Sequence, residues 1–196
     1  LSFAYDSARP AAVFATTASP TTNINPVPIT ITFDKAVISF ALTDLTLNNA
    51  SVGNLAEVVT GKSWTFDLIP TGNGPVSVDL PEGKVSDAVG NLNTAAAQLS
   101  FVYDNRKPVP LFATTASATT KISPIPFTIT FDEAVTGFAI GDLTVANGTP
   151  GSLVEVVAGK VWSFNVTSPA DGAVTVSLAA DKASDVAVNG NAAATP

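Results

Sequence analysis

The 196-residue chain has no cysteine, no methionine and no histidine. Without Cys there is no disulfide framework and no thiolate nucleophile, and without Cys or His no zinc cluster. The commonest general base is missing too. Catalysis would have to rest on paired carboxylates, yet the acids fall in the turns of a small repeated unit that offers no deep cleft. The chain therefore reads as non-enzymatic. Basic residues are few: Lys and Arg number 9 against 16 Asp and Glu, for a formal net charge of −7. No basic stripe exists to neutralise phosphates, which argues against a nucleic-acid partner. Charged residues of both signs make up only 13% of the chain, against roughly 25% in an average soluble protein, so Thr, Ser, Asn and Ala must cover the surface. No apolar run approaches the roughly 18–20 residues that span a bilayer.

What the chain does contain, it contains twice. Leu1-Ser2-Phe3-Ala4-Tyr5-Asp6 returns as Leu99-Ser100-Phe101-Val102-Tyr103-Asp104, an offset of 99 − 1 = 98 positions. The same offset carries Phe14-Ala15-Thr16-Thr17-Ala18-Ser19 onto Phe112-Ala113-Thr114-Thr115-Ala116-Ser117, and Thr30-Ile31-Thr32-Phe33-Asp34 onto Thr128-Ile129-Thr130-Phe131-Asp132. It holds without a gap as far as Asp87 and Asp185, after which two extra residues are read before Gly190-Asn191, as the counterpart of Gly90-Asn91. A unit of about 100 residues is the size of one immunoglobulin-like domain.

Within each unit the pattern is that of strands. Val27 to Phe33, Trp64 to Leu68 and Val76 to Leu80 alternate apolar and polar residues, the mark of half-buried strands. Pro, Gly and Asn clusters separate them. Seven strands, A to G, are expected in the first copy at 11–16, 27–34, 42–48, 54–59, 63–69, 75–80 and 97–103. The fold class is thus all-β, two tandem immunoglobulin-like antiparallel sandwiches. Their expected cores hold Phe33, Val37, Phe40, Leu45, Trp64, Phe66, Val78 and Leu80 with the matching second set. Trp64 and Trp162 sit on the core side of their strands, away from any sugar-stacking role.

The stretch Pro28–Leu47, reading PITITFDKAVISFALTDLTL, resembles the bacterial Ig-like repeats of large surface adhesins, also found in algal and protist extracellular proteins. The Trp-x-Phe strand and the Ser86-Asp87-Ala88-Val89-Gly90-Asn91 loop share this resemblance, which covers both copies. It implies an extracellular or cell-surface setting and a spacer or adhesive role, often with calcium. Fold-level likeness leaves the particular role open.

The frame of the repeat is shifted. Residues 1–8 read as a G strand that finishes a preceding repeat or is donated elsewhere. Residues 9–104 form repeat 1, and 105–196 form repeat 2 without its own last strand. One account is a fragment of a longer covalent array. The other is strand donation, with Leu1, Ser2, Phe3, Ala4 and Tyr5 of one chain completing repeat 2 of the next, head to tail.

Three further sets of residues are candidates. In a seven-strand sandwich the entering linker and the B–C and F–G loops meet at one pole. For repeat 2 these carry Asp104, Asn105, Asp132, Glu133, Asp185, Asn189 and Asn191; for repeat 1, Asp6, Asp34 and Asp87, with Asn91. Such oxygens suit calcium, which takes six to eight of them, although Asp and Asn are also ordinary turn residues and Lys62 and Lys160 stand by to neutralise them. Asn49, Asn147 and Asn165 open N-glycosylation sequons, with plain Asn turn chemistry as the alternative. The expected partners are adjacent repeats or further copies. The alternative is a glycan or surface protein held by the pole loops.

Overall fold

Along Val27–Phe33 the side chains of Val27, Ile29, Ile31 and Phe33 all turn to one side and are buried, while Pro28 and Thr32 remain exposed. The computed structural model, which describes residues 1–196, repeats this logic throughout. It divides into two compact units, Leu1–Asp104 and Asn105–Pro196.

Unit 1 contains β1 (Ala12–Thr16), β2 (Thr21–Thr22), β3 (Val27–Phe33), β4 (Thr46–Asn48), β5 (Ala50–Val59), β6 (Ser63–Pro70), β7 (Gly74–Asp79) and β8 (Leu99–Tyr103). One sheet runs β1-β3-β6-β5 and the other β2-β8-β7-β4. Every pairing is antiparallel except the short parallel contact of β2 with β8. Two such sheets enclosing one apolar layer make an immunoglobulin-like sandwich. Unit 2 contains β9 (Pro110–Thr114), β10 (Ile125–Phe131), β11 (Leu143–Ala146), β12 (Thr149–Val157), β13 (Val161–Thr167) and β14 (Thr175–Leu178). Its first sheet, β12-β13-β10-β9, matches that of unit 1, but its second is the single pair β11-β14.

The cores are built on the same aromatic cluster. Phe33 and Trp64 meet edge to face at 5.7 Å, Phe131 and Trp162 at 5.6 Å, and Phe40 and Phe138 each lie 5.1 Å from the tryptophan. Of the residues expected in the first core all are buried except Leu45, which packs against it half-buried.

Two strands depart from the expected limits. Residues 42–48 are expected as one strand, but the segment opens with a 3₁₀ turn at Leu42–Asp44. There Asp44 Oδ2 accepts the N–H of Ala41 at 2.8 Å, and only Thr46–Asn48 joins the sheet. Ile140–Asp142 does the same, Asp142 accepting from Ala139. β5 begins at Ala50 rather than 54, because Gly53-Asn54 forms a bulge and not a turn. The pairing slips between Gly53 and Ala56, where Asn54 takes φ 54°; β12 slips at the same place, with Ser152 at φ 56°. The turns that follow need glycine. Gly61 and Gly159 have φ of 66° and 64°, and a Cβ there would press on the carbonyls of Val37 and Val135 at 3.1 and 3.2 Å.

The F–G segment corrects the alignment of the two copies. Ser86 bridges to Leu92 and Ser184 to Gly190, and Asp87 and Asp185 each donate their N–H at 3.1 Å to Asn91 and Asn189. The offset of 98 therefore continues with no insertion: Asn189 answers Asn91 and Asn191 answers Asn93. The shared Gly-Asn dipeptide points to the wrong register, because the asparagines, not the glycines, do the equivalent work.

Candidate functional site

At the pole where the chain enters unit 1, one lysine holds two acids. Lys35 Nζ lies 2.7 Å from Asp6 Oδ2 and 2.6 Å from Asp87 Oδ2. The ammonium that donates to them holds both carboxyls below the usual range, and its hydrogen bonds to Asp6 first and then Asp87 raise Lys35 above its ordinary value. Asp87 also accepts the N–H groups of Val89 and Asn91 and the amide of Asn91, which in turn donates to the carbonyl of Asp6. Asp34 pins the start of β1 by accepting from Ala11 at 2.9 Å, and Lys62 reaches its carbonyl, not its carboxylate. Asp6, Asp34 and Asp87 thus tie chain entry, B–C loop and F–G loop together.

Unit 2 keeps the frame and reverses the central charge. Glu133 stands where Lys35 stood, and its carboxylate oxygens and those of Asp185 approach within 4.8 Å. A cation comes instead from Arg106, 3.9 Å from Glu133 and 3.8 Å from Asp132. Asp132 also accepts the N–H of Val109 at 2.7 Å, and Asp185 accepts both the backbone and side-chain N–H groups of Asn189. Asn105 is exposed at the start of the unit, and Asp104 ends unit 1 with its N–H on the Thr22 carbonyl. Among these residues, Glu133 and Asp185 are those whose carboxylates unit 2 itself brings side by side.

Asn191 has a different task. It is wholly buried, its Oδ1 accepts from Lys182 and Ala183 at 2.7 and 2.8 Å, and its Nδ2 donates to the carbonyls of Ala179 and Ala192. Asn93 makes the same four bonds in unit 1, to Lys84, Val85, Pro81 and Thr94. An amide can make about four hydrogen bonds, so both are fully spent on backbone. Asn93 carried no signal in the expected alignment; the ungapped offset brings it out.

Asn49 and Asn147 take φ of 51° in the turn after β4 and β11. Their amides donate to the carbonyls of Gly72 and Ala170 at 2.7 and 3.1 Å, stapling this turn to the following loop. Asn165 lies half-buried on β13, opposite Pro126 and Gly151.

The largest difference between the units is at the second sheet. In unit 1, β8 lies between β7 and β2 and buries Phe101 and Tyr103, each to 6% exposure. In unit 2, Ala194 pairs with Leu178 at the end of β14, and along the rest of that edge no strand lies. The groups that β8 covers in unit 1 are correspondingly opened. Val27, Ile29 and Val76 are buried, whereas Ile125, Phe127 and Val174 are half-buried; Thr22 is buried and Thr120 exposed. Meanwhile Leu1–Tyr5, the sequence copy of β8, forms no strand: Phe3 is 86% and Tyr5 92% exposed.

No helix is long and apolar enough to cross a membrane. A comparison with curated proteins gives no match. Among solved structures the chain is similar to one of the adhesin FdeC of Escherichia coli, with a TM-score of 0.51 at 16% identity over 98% of this chain and 65% of that one. It also matches the structure of InvD of Yersinia pseudotuberculosis, at 15% identity and a TM-score of 0.34, over 96% of this chain and 57% of that one. At such identities the first likeness speaks for the fold, and the chain spans less than two thirds of either structure. The family model for the bacterial Ig-like domain matches residues 6–103 and again 107–196. Both units, one with its second sheet complete and one with it open, thus belong to the bacterial Ig-like domain family.

Proposed function

We propose that this chain is a structural repeat of an extracellular or cell-surface protein of adhesin type, serving as a stiff spacer, and that unit 2 is completed by a strand added beside β14. The spacer reading rests on one observation: the polar groups of the pole loops do the same internal work in both copies. Asp87 and Asp185, Asn93 and Asn191, Glu57 and Glu155 each accept backbone N–H groups at matching places, Asp87 holding Lys35 in addition. A loop selected for a ligand would differ between copies and keep such groups outward. Strand addition is supported by the two-stranded second sheet of unit 2, since an open edge presents backbone N–H and C=O groups that another strand can pair. The reading carries no catalytic step.

A second reading, a binding module, is favoured by one spot. The F–G loop of unit 2 exposes Val186 and Val188, 76% and 73%, at the places of Ala88 and Gly90, and Val188 takes φ 70°. A β-branched residue in that region is strained. Immobilised chain presented to glycan arrays and cell-surface extracts separates the two. The spacer reading expects no saturable binding. Binding that disappears on Val186→Asp would replace it with the adhesive one.

A further inference from the structure

We propose that the cavity at the loop pole of unit 2 binds an alkylammonium group, the charged end of a lysine side chain or of a free polyamine. This rests on the second reading above, a binding module, and deepens it by naming the pocket and the chemistry of its ligand.

The cavity measures about 730 Å³ and is lined from unit 2 alone, within the roughly 300–1,000 Å³ typical of small-molecule sites. Its floor is aromatic: Trp162, 7% exposed, and half-buried Phe138, with ring centroids 5.1 Å apart. Glu155 on β12 stands directly opposite Trp162 on β13, so both side chains face the same side of the sheet. Its Oε1 accepts the Gly159 N–H at 2.6 Å, which fixes the carboxylate. A carboxylate has about four acceptor sites, so capacity remains for a ligand. Asp185 lines the cavity from the F–G loop, with Val186 beside it. The charged residues of the lining are thus both acids. An ammonium on a short methylene tail answers the acids and the aromatic floor at once.

The two copies serve as each other's control. The residues that frame the cavity, Val135, Glu155, Gly159, Trp162 and Asp185, repeat Val37, Glu57, Gly61, Trp64 and Asp87. Those at its mouth do not. Thr136 and Gly137 replace Ile38 and Ser39, and Phe138 is half-buried where Phe40 is buried to 8% exposure. Val186 and Val188 replace Ala88 and Gly90, and Val188 holds φ 70° with little burial in return. Unit 1 also shows what the framing acid takes. Asp87 accepts from Asn91 and, at 2.6 Å, from the Lys35 ammonium. Asp185 accepts from Asn189 in the same way, but Glu133 stands at the place of Lys35, and Arg106 reaches Glu133 and Asp132 at 3.9 and 3.8 Å. The ammonium that unit 1 supplies from its own chain is the group that unit 2 takes from outside.

The test uses the whole chain carrying Trp64→Phe, in which Trp162 is the one remaining tryptophan. Cadaverine, a blocked peptide of one lysine between two glycines and, as the uncharged match, pentanediol are titrated in turn, by fluorescence and by calorimetry. The expected result is saturable binding of both amines and none of pentanediol, with no response from Trp64 in the chain carrying Trp162→Phe. The tighter amine names the source: the peptide a lysine on a partner protein, cadaverine a free polyamine. Glu155→Gln keeps an oxygen for the Gly159 N–H and removes the charge. It should weaken binding by at least about tenfold, the scale of one hydrogen bond to a charged group. Thr136→Ile with Gly137→Ser gives unit 2 the mouth of unit 1, which holds Ser39 at φ 65°, and should abolish binding. Pentanediol binding as well as the amines, Trp64 responding as Trp162 does, or affinity unmoved by Glu155→Gln each overturns the proposal. Failure of the amines while Val186→Asp still removes binding to cell-surface extracts overturns the ligand and leaves the second reading standing. Failure of both overturns that reading too.

Discussion

The aromatic layer of unit 1 recurs in unit 2 to within about a tenth of an ångström, yet one unit carries a four-stranded second sheet and the other a pair. The sandwich is therefore two structures laid together. The layer of Phe33, Phe40 and Trp64, or Phe131, Phe138 and Trp162, lies under the β3–β6 or β10–β13 pairing and is indifferent to what happens at the far edge. The layer under β8 depends on that strand: with it Ile29 is sealed, and without it Phe127, stacked on Phe164 at 5.5 Å, lies half open.

Each unit holds one tryptophan, so Trp162→Phe and Trp64→Phe variants report on units 1 and 2 separately by fluorescence during guanidinium unfolding. The largest effect is expected from the closing strand. Phe101→Ala should cost unit 1 about 3–5 kcal/mol, while Phe3→Ala, the same change in the same sequence, should leave the unfolding of the dilute chain unmoved. Equal effects would erase the distinction between seated and presented strand. Next, Asn93→Ala and Asn191→Ala should each cost their own unit on the order of 3 kcal/mol, because buried backbone groups lose their partners, whereas Asn91→Ala should cost less. A large loss at Asn91 with none at Asn93 would restore the gapped alignment.

Smaller effects sharpen the contrast at the F–G loops. Val188→Gly should stabilise unit 2 by about 1 kcal/mol by relieving its positive φ, and Gly90→Val, at φ 91°, should destabilise unit 1 by a similar amount. Denaturant midpoints of the single-tryptophan variants decide it, and a loss from Val188→Gly would show that the valine packs against something worth more than the strain. The acid limb should separate the units too. Asp6 and Asp87 are held below the ordinary value near 3.8 by Lys35, so their contribution is present above that value and is lost as pH falls through their lowered ones. Unit 1 should therefore weaken below about pH 4, and Lys35→Met should flatten that slope. An unchanged slope in the variant would remove the lysine from the account.

The fold was legible because apolar residues keep strict alternation in Val27–Phe33 and Trp64–Leu68, and because the repeat writes every strand twice. Two segments misled for local reasons. Leu45-Thr46-Leu47 alternates and suggests a strand from Leu42 on, but Asp44 captures the Ala41 N–H and turns the chain before it. Gly53-Asn54 has turn composition, but flanking pairing with β6 forces it into a bulge. The candidate site was legible only in part. The acids at the pole could be named from loop positions, whereas the role of Lys35 depends on Asp6 and Asp87 arriving from residues far apart in sequence. Asn93 was hidden, and Asn191 was matched to the wrong residue, by a two-residue slip that no single copy can reveal.

The kinks in β5 and β12 bear on behaviour in a crowd. Each is a long outer strand with bare valines, Val58 and Val59 in one and Val156 and Val157 in the other, of the kind that fuses neighbouring molecules into insoluble ribbons. The extra residue at Asn54 and at Ser152 throws the edge out of step with any straight partner. Growth sideways is thereby discouraged at the flank, so that molecules held close together resist fusing edge to edge.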